Sequence, residues 1–191
     1  MISCFHGVFA LTSPRGYRVL NGATEYHKGI DLVGKEDGSV YAIADGTAYT
    51  LYEKDGFGYY VRQHLPDGRR IYYGHLASFS IPNGTEVKKG QKIGVMGQTG
   101  KAYGVHTHLE IRPAGFGSES GDICAFTGIP NRVGSYRADT DVTDETVRHM
   151  IEDGVTSEEN APHWQKVLAG EIPAVPEYVR AIFDRYHEKI Q

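Results

Sequence analysis

The amino-acid sequence predicts a mainly β protein over residues 1–136, followed by a small α-helical module over residues 139–191. Three observations carry this reading. Glycine is abundant, at 24 of 191 residues, against a usual share of about 7%, and tyrosine reaches 13, so turns and aromatic strand residues are both frequent. Up to residue 136 the apolar residues alternate or run in short blocks between turns, with no helical stripe among them. From about residue 139 the apolar spacing changes to i, i+3, i+4.

Within the β region, residues 40–48 (VYAIADGTA) alternate apolar and small side chains around an Asp-Gly turn. Residues 59–64 (YYVRQH) and 70–74 (RIYYG) read as a hairpin connected through Leu65-Pro66-Asp67-Gly68. Residues 85–96 (TEVKKGQKIGVM) read as a strand-turn-strand unit. Residues 105–112 (VHTHLEIR) alternate strictly: Val105, Thr107, Leu109 and Ile111 face one way, and His106, His108, Glu110 and Arg112 the other. A Gly/Ser-rich stretch over 115–120 suits a loop.

The C-terminal segment carries three helical stripes: Val147, Met150 and Ile151; Trp164, Val167 and Leu168; and Val179, Ile182, Phe183, Tyr186 and Ile190. Pro173 and Pro176 precede the last of them, and Pro176 fits its first turn. About three short helices are expected here, serving either to target the protein to its substrate or to pack or dimerise.

Composition narrows the function. The net charge is −4 with histidine neutral, which argues against a nucleic-acid partner, because phosphate binding needs a concentrated basic face. No apolar run approaches the ~18 residues of a membrane span. The first residues, MISCFHGVFALTSPRGYR, show no charged segment followed by a long apolar one, so no signal peptide is expected. Cys4 and Cys124 read as ordinary thiols; a single bridge between them is the other reading.

The chemistry concentrates in two short motifs. His27-Lys28-Gly29-Ile30-Asp31 is an HxxxD, and His106-Thr107-His108 is an HxH on the alternating strand. Catalytic zinc takes three protein ligands in tetrahedral geometry and leaves a fourth position open. Histidines at i and i+2 of a strand share a face, so one can hold the metal while the other faces the reacting molecule. Each motif alone also fits exposed or hydrogen-bonded histidines. Their order gives them weight: HxxxD, then Tyr73-Gly74-His75-Leu76 at a strand end, then HxH.

With these residues in place, the sequence resembles the lysostaphin-type (LytM-type) zinc endopeptidases of bacterial peptidoglycan. The resemblance spans roughly residues 11–112. It is carried by Ser13-Pro14-Arg15-Gly16-Tyr17-Arg18, the HxxxD, 42–47 (AIADGT), 72–76 (YYGHL), 87–94 (VKKGQKIG) and 104–111 (GVHTHLEI), in the family's order and spacing. Thr107 and Leu109 depart from the Leu and Phe common there.

The resemblance implies an antiparallel β core related to lipoyl-like barrel-sandwich folds. It also implies one Zn2+ per chain held by His27, Asp31 and His108, with His75 and His106 as an unliganded catalytic pair. The implied substrate is a peptide bond in the stem peptide or cross-bridge of peptidoglycan, so the protein would act at the bacterial cell wall. A full catalytic set without a visible leader points to a phage or prophage lysin, cytoplasmic until released by lysis or a non-classical route.

Two other readings stay open at this stage. One is a catalytically silent relative that binds and activates wall enzymes. The other is a lipoyl- or phosphocarrier-like protein, because VKKGQKIG also occurs in such folds; no lysine-bearing tight hairpin stands out, however. Among the remaining residues, His64 reads as a structural histidine near the site, and His6, His149, His163 and His187 as surface residues. Tyr17, Tyr59, Tyr60, Tyr72 and Tyr73 read as strand packing or groove lining. Lys88-Lys89-Gly90 reads as a solvated turn. Glu110 is either a hydrogen-bond partner of a ligand histidine or an exposed carboxylate.

Overall fold

A computed structural model of the protein describes residues 1–36, 38–115 and 117–138. The helical module expected over 139–191 lies outside the described residues. The chain begins with β1 (Val8–Ser13), a hairpin of β2 (Gly16–Leu20) and β3 (Ala23–His27), then β4 (Ile30–Gly34) and the short β5 (Ser39–Tyr41). A meander of β6 (Gly46–Glu53), β7 (Gly58–His64) and β8 (Arg70–Leu76) follows. Next come β9 (Ser78–Phe79), β10 (Thr85–Val87), β11 (Lys92–Val95) and β12 (Thr107–Arg112), then the short helix α1 (Ile123–Thr127) and β13 (Gly134–Arg137). Among the described residues no helix is long and apolar enough to cross a membrane.

Eight strands form one sheet in the order β10-β6-β7-β8-β12-β4-β1-β13, antiparallel at every pairing. A smaller sheet, β5-β11-β9, supplies the opposing apolar layer, while β2 and β3 pair only with each other. Val40 and Ile93 of the small sheet join Val61, Ile71, Tyr73, Leu109 and Ile111 of the large one in a single buried cluster. The Tyr73 phenol lies inside that core with both hydrogen-bonding roles met. It accepts from the Ile43 N–H at 3.0 Å and donates to Gln63 Oε1 at 2.7 Å. A buried hydroxyl left unpaired there would be costly.

The hairpin of β7 and β8 forms where the Leu65-Pro66-Asp67-Gly68 connection places it. Residues 85–96 differ from the expected unit, because the two strands do not pair with each other. β10 joins β6 in the large sheet, and β11 joins β5 and β9 in the small one. The exposed Lys88-Lys89-Gly90 turn carries the chain from one sheet to the other, and Asp45 pins it through Lys88 Nζ at 2.8 Å and the Lys89 N–H at 2.9 Å.

Alternation along β12 holds from Thr107 onward, with Thr107, Leu109 and Ile111 buried in the core. Val105 precedes the strand and is 54% exposed, so it does not share their face. The helix α1 lies within the region read as strands and turns. Asp122 caps its first turn, and Gly128, in the left-handed conformation, ends it. Five residues are too few to display a helical stripe in the sequence. Cys4 and Cys124 are free thiols.

Candidate metal centre and groove

β12 lies between β4 and β8, and this brings the two motifs together. His108 is directly opposite Asp31 on β4 and Gly74 on β8. His27 ends β3, and two residues separate it from the start of β4. The turn between them needs glycine at position 29. A Cβ there would sit 2.4 Å from the Leu109 carbonyl oxygen and 2.7 Å from His108 Nε2.

Three ligand atoms converge. His27 Nε2 lies 3.0 Å from His108 Nδ1 and 3.1 Å from Asp31 Oδ1, and His108 Nδ1 lies 3.0 Å from the same oxygen. All three residues are buried. The outward ring nitrogens are committed elsewhere. His27 Nδ1 donates to the Pro14 carbonyl at 2.9 Å, which leaves Nε2 with a lone pair. His108 Nε2 faces Glu110 Oε2 at 3.3 Å, and with its proton there Nδ1 is also free to ligate. Two imidazole lone pairs and a carboxylate oxygen then point at one another, an arrangement that calls for a cation. Their spacing approaches the edge of about 3.3 Å expected for a tetrahedron with bonds of about 2.0–2.1 Å. The donor set of two nitrogens and one oxygen fits such a metal.

The electrostatics follow from burial and close charges. Burial alone would raise the Asp31 carboxyl, but His108 and His27 outweigh it and hold it well below the usual carboxylate range. Burial alone would lower His108, but Asp31 and Glu110 outweigh it and raise the imidazole to about 9. Arg18, on β2, donates from Nη1 to Asp31 Oδ2 at 3.2 Å and binds Glu25 Oε1 through Nη2 at 2.7 Å. Glu110 is 1% exposed and is shared by His108 and Arg112, whose Nε donates to Oε1 at 2.7 Å. It is therefore the hydrogen-bond partner of a ligand histidine and not an exposed carboxylate.

His75 and His106 stand beside the cluster, with ring centroids 4.7 Å apart. His75 has φ 63°, a left-handed conformation uncommon for a side-chain-bearing residue. Its N–H bonds to the Phe57 carbonyl at 2.7 Å, and its Nδ1 donates to the Thr99 carbonyl at 2.9 Å. His106 Nδ1 donates to the Gly104 carbonyl at 2.8 Å, and its Nε2 lies 3.5 Å from Asp31 Oδ1. In its neutral form each ring therefore has Nε2 as its acceptor. Burial, with the charges of His106 and His108, pushes His75 down to about 4 against the pull of Thr99. His75, His106 and the three metal-holding residues line one groove of about 720 Å³. At the turn of the β2–β3 hairpin, Asn21 Nδ2 reaches across to the Tyr103 hydroxyl at 2.8 Å.

His64 is not near this centre. It pairs with Arg70, four positions along β8 from the residue opposite His108, and packs tilted against Tyr49 with ring centroids 5.0 Å apart. His6 is half-buried, stacked on Tyr41 at 3.6 Å. His149, His163 and His187 lie outside the described residues. Of the tyrosines, Tyr73 and Tyr72 are buried, and Tyr17 is exposed on the hairpin.

Comparison with known proteins fits this geometry. Residues 25–119 match peptidase family M23. Over that stretch the chain is similar to the M23 peptidases. The chain is 36% identical over 104 residues to the DD-carboxypeptidase/endopeptidase Mpg of Neisseria meningitidis serogroup B, covering 53% of this chain and 24% of that protein. The chain therefore spans about a quarter of the length of that curated relative. The catalytic domain of the antimicrobial peptidase lysostaphin from Staphylococcus simulans superimposes with a TM-score of 0.54 at 28% identity, covering 61% of this chain and 90% of that one. The catalytic domain of the prophage-encoded M23 protein EnpA from Enterococcus faecalis gives a TM-score of 0.53 at 27% identity, covering 59% and 87%. The M23 fold is thus the mainly β, antiparallel one described above.

Proposed function

We propose that this protein is a zinc endopeptidase that hydrolyses peptide bonds in the stem peptide or cross-bridge of bacterial peptidoglycan. The observation that carries the reading is the pairing of two features in one groove. Three lone-pair atoms, on His27, Asp31 and His108, converge within about 3 Å of one another, and two further histidines, each tied to a backbone carbonyl through Nδ1, stand beside them. The named relatives, a DD-carboxypeptidase/endopeptidase and lysostaphin, support the choice of substrate.

His27 Nε2, Asp31 Oδ1 and His108 Nδ1 would hold one zinc per chain. Zinc bound there would polarise the scissile carbonyl and acidify a water molecule. The remaining steps fall to the side chains. His75 and His106 work as a pair: one Nε2 accepts the proton of the attacking water and returns it to the leaving amine, and the other ring, carrying a proton taken from solvent before the reaction and kept through it, donates a hydrogen bond from Nε2 to the developing oxyanion. Backbone carbonyls of Thr99 and Gly104 hold both Nδ1 atoms, so Nε2 is the nitrogen that faces the groove on each ring. Arg18 and Glu110 orient the ligands Asp31 and His108.

Two finer assignments belong to the same proposal. Residues 139–191 form a second module that binds the wall. The prophage-encoded neighbour is consistent with a lysin of phage or prophage origin. Deleting residues 139–191 is expected to weaken binding to insoluble sacculi and to spare cleavage of a short soluble peptide.

The deciding experiment measures zinc content and new peptide ends released from purified peptidoglycan, for wild type and His108→Ala. About one zinc per chain with new ends in wild type, both lost in the variant, is the expected result. Zinc without cleavage on any wall type would overturn the catalytic reading in favour of a binding or activating role.

A further inference from the structure

The face of the large sheet that carries the metal-holding cluster also carries a group of cations that hydrolysis leaves unused. Residues directly opposite each other on antiparallel strands share a face. Glu110 lies opposite Tyr72 and Arg112 opposite Arg70; Tyr72 in turn lies opposite Arg62, and Arg70 opposite His64. Arg62 faces Tyr49, and His64 faces Thr47. Arg62, His64, Arg70 and Arg112 therefore stand on the same side as His108.

Their partners differ. Glu110 neutralises Arg112. Arg62 and Arg70 have no ion-pair partner among the described residues: Arg62 lies over the Tyr49 ring at 5.9 Å, and Arg70 Nη2 bonds only to the carbonyls of Pro113 and Gly117, each at 3.3 Å. Nε of Arg62, Nε of Arg70 and Nε2 of His64 are all shielded from solvent with no hydrogen-bond partner. The Glu86 carboxylate, on the outer strand of this face, accepts from the Thr47 hydroxyl. Burial and the charges of Arg62 and Arg70 push His64 below its ordinary value, as close approach of these groups requires. Shielded donors without an acceptor are costly, and two guanidinium groups beside an imidazole match an oxyanion.

We propose that Arg62, Arg70 and His64 form an oxyanion-binding site that takes a carboxylate or phosphate group. The site itself is independent of the hydrolytic reading; assigning its ligand to the substrate rests on that reading. Arg70 is four residues along β8 from Gly74, which faces His108, a separation of about 14 Å at ~3.4 Å per residue. An extended peptide covers that span in about four residues, so an acidic peptide cut at the metal would bring a carboxylate to this site. A phosphate-bearing polymer is the other source of the same chemistry.

The test follows the ring NMR signals of His64, assigned with His64→Gln, in the full zinc-loaded chain. The probes are inorganic phosphate, an acidic tetrapeptide and its amidated counterpart. A saturable shift with phosphate or the acidic peptide, absent with the amidated peptide, is expected. Arg62→Gln and Arg70→Gln should each weaken it by about tenfold or more with unchanged thermal midpoints. Tighter binding of the acidic peptide than of phosphate identifies a substrate carboxylate, and the reverse identifies a phosphate polymer. Shifts that never saturate, or that persist undiminished in both arginine variants, overturn the proposal. The titration is read without hydrolysis, so its failure is distinguishable from failure of the endopeptidase reading.

Discussion

Arg18 Nη1 donates to Oδ2 of Asp31, the carboxylate oxygen left over once Oδ1 faces His27 and His108. The guanidinium also binds Glu25 through Nε at 2.8 Å and Ser13 Oγ through Nη1 at 2.7 Å. It therefore fixes the rotation of the Asp31 carboxylate without touching the metal position. Arg18→Ala should lower zinc affinity by roughly 10–100-fold, the usual effect of removing a partner of a metal ligand. A competition titration against a chromophoric chelator checks this. Unchanged affinity would mean that Asp31 holds its orientation unaided.

His106→Ala separates ligand from catalyst. His106 Nε2 approaches Asp31 Oδ1 only to 3.5 Å, farther than the three mutual ligand distances. The variant should retain about one zinc and lose turnover by about 10²-fold or more, with KM for a soluble peptide little changed. Loss of the metal in this variant would show that the ligand set is misassigned.

Gly29 gives a steric test. A Cβ at this position meets a backbone oxygen at 2.4 Å and the His108 ring at 2.7 Å, and a backbone oxygen cannot swing away. Gly29→Ala should cost about 1–3 kcal/mol and displace His108, lowering both the denaturation midpoint and the zinc content. A variant with normal midpoint and normal zinc would show that the turn has slack.

The depressed His75 gives a pH test. Its folded value is about 4 against an ordinary 6.5, so below pH 6.5 the unfolded chain takes up a proton that the folded chain resists. The stability tied to its neutral form is complete above about pH 6.5 and is lost as the pH falls toward 4. His75→Asn, which tolerates the left-handed backbone, should flatten the loss over that window relative to wild type. Denaturant midpoints measured at pH 7, 6, 5 and 4 report the difference, and parallel curves would refute it.

Much of the centre was legible in the sequence because strand parity is a strong constraint. Period two placed His106, His108 and Glu110 on one side, and the HxxxD supplied the remaining ligands with the glycine its turn requires. The Arg18–Asp31 bond was not legible, because it depends on how the β2–β3 hairpin folds back over β4, and no local spacing encodes that. His64 misled for a related reason: it ends a strand next to the site strands but points from four positions further along. Residues 85–96 misled because a Lys-Lys-Gly turn looks the same whether its strands pair with each other or part into two sheets. The helix α1 is too short to announce itself by periodicity, although its caps, Asp122 and Gly128, were visible residue types.

The seam between β12 and β4 has a mechanical consequence. Only three residue pairs join these strands: Thr107 with Leu32, His108 with Asp31, and Leu109 with Ile30. The middle pair consists of two metal-holding residues, and the seam divides β13, β1 and β4 from the rest of the large sheet. A cation held there would act as a rivet across this three-pair seam, joining segments 77 residues apart in sequence. Metal supply would then set how firmly the sheet stays closed as well as whether the proposed chemistry proceeds. Without a bound cation this seam is expected to open more readily to exchange and proteolysis, so the domain's lifetime would depend on metal supply.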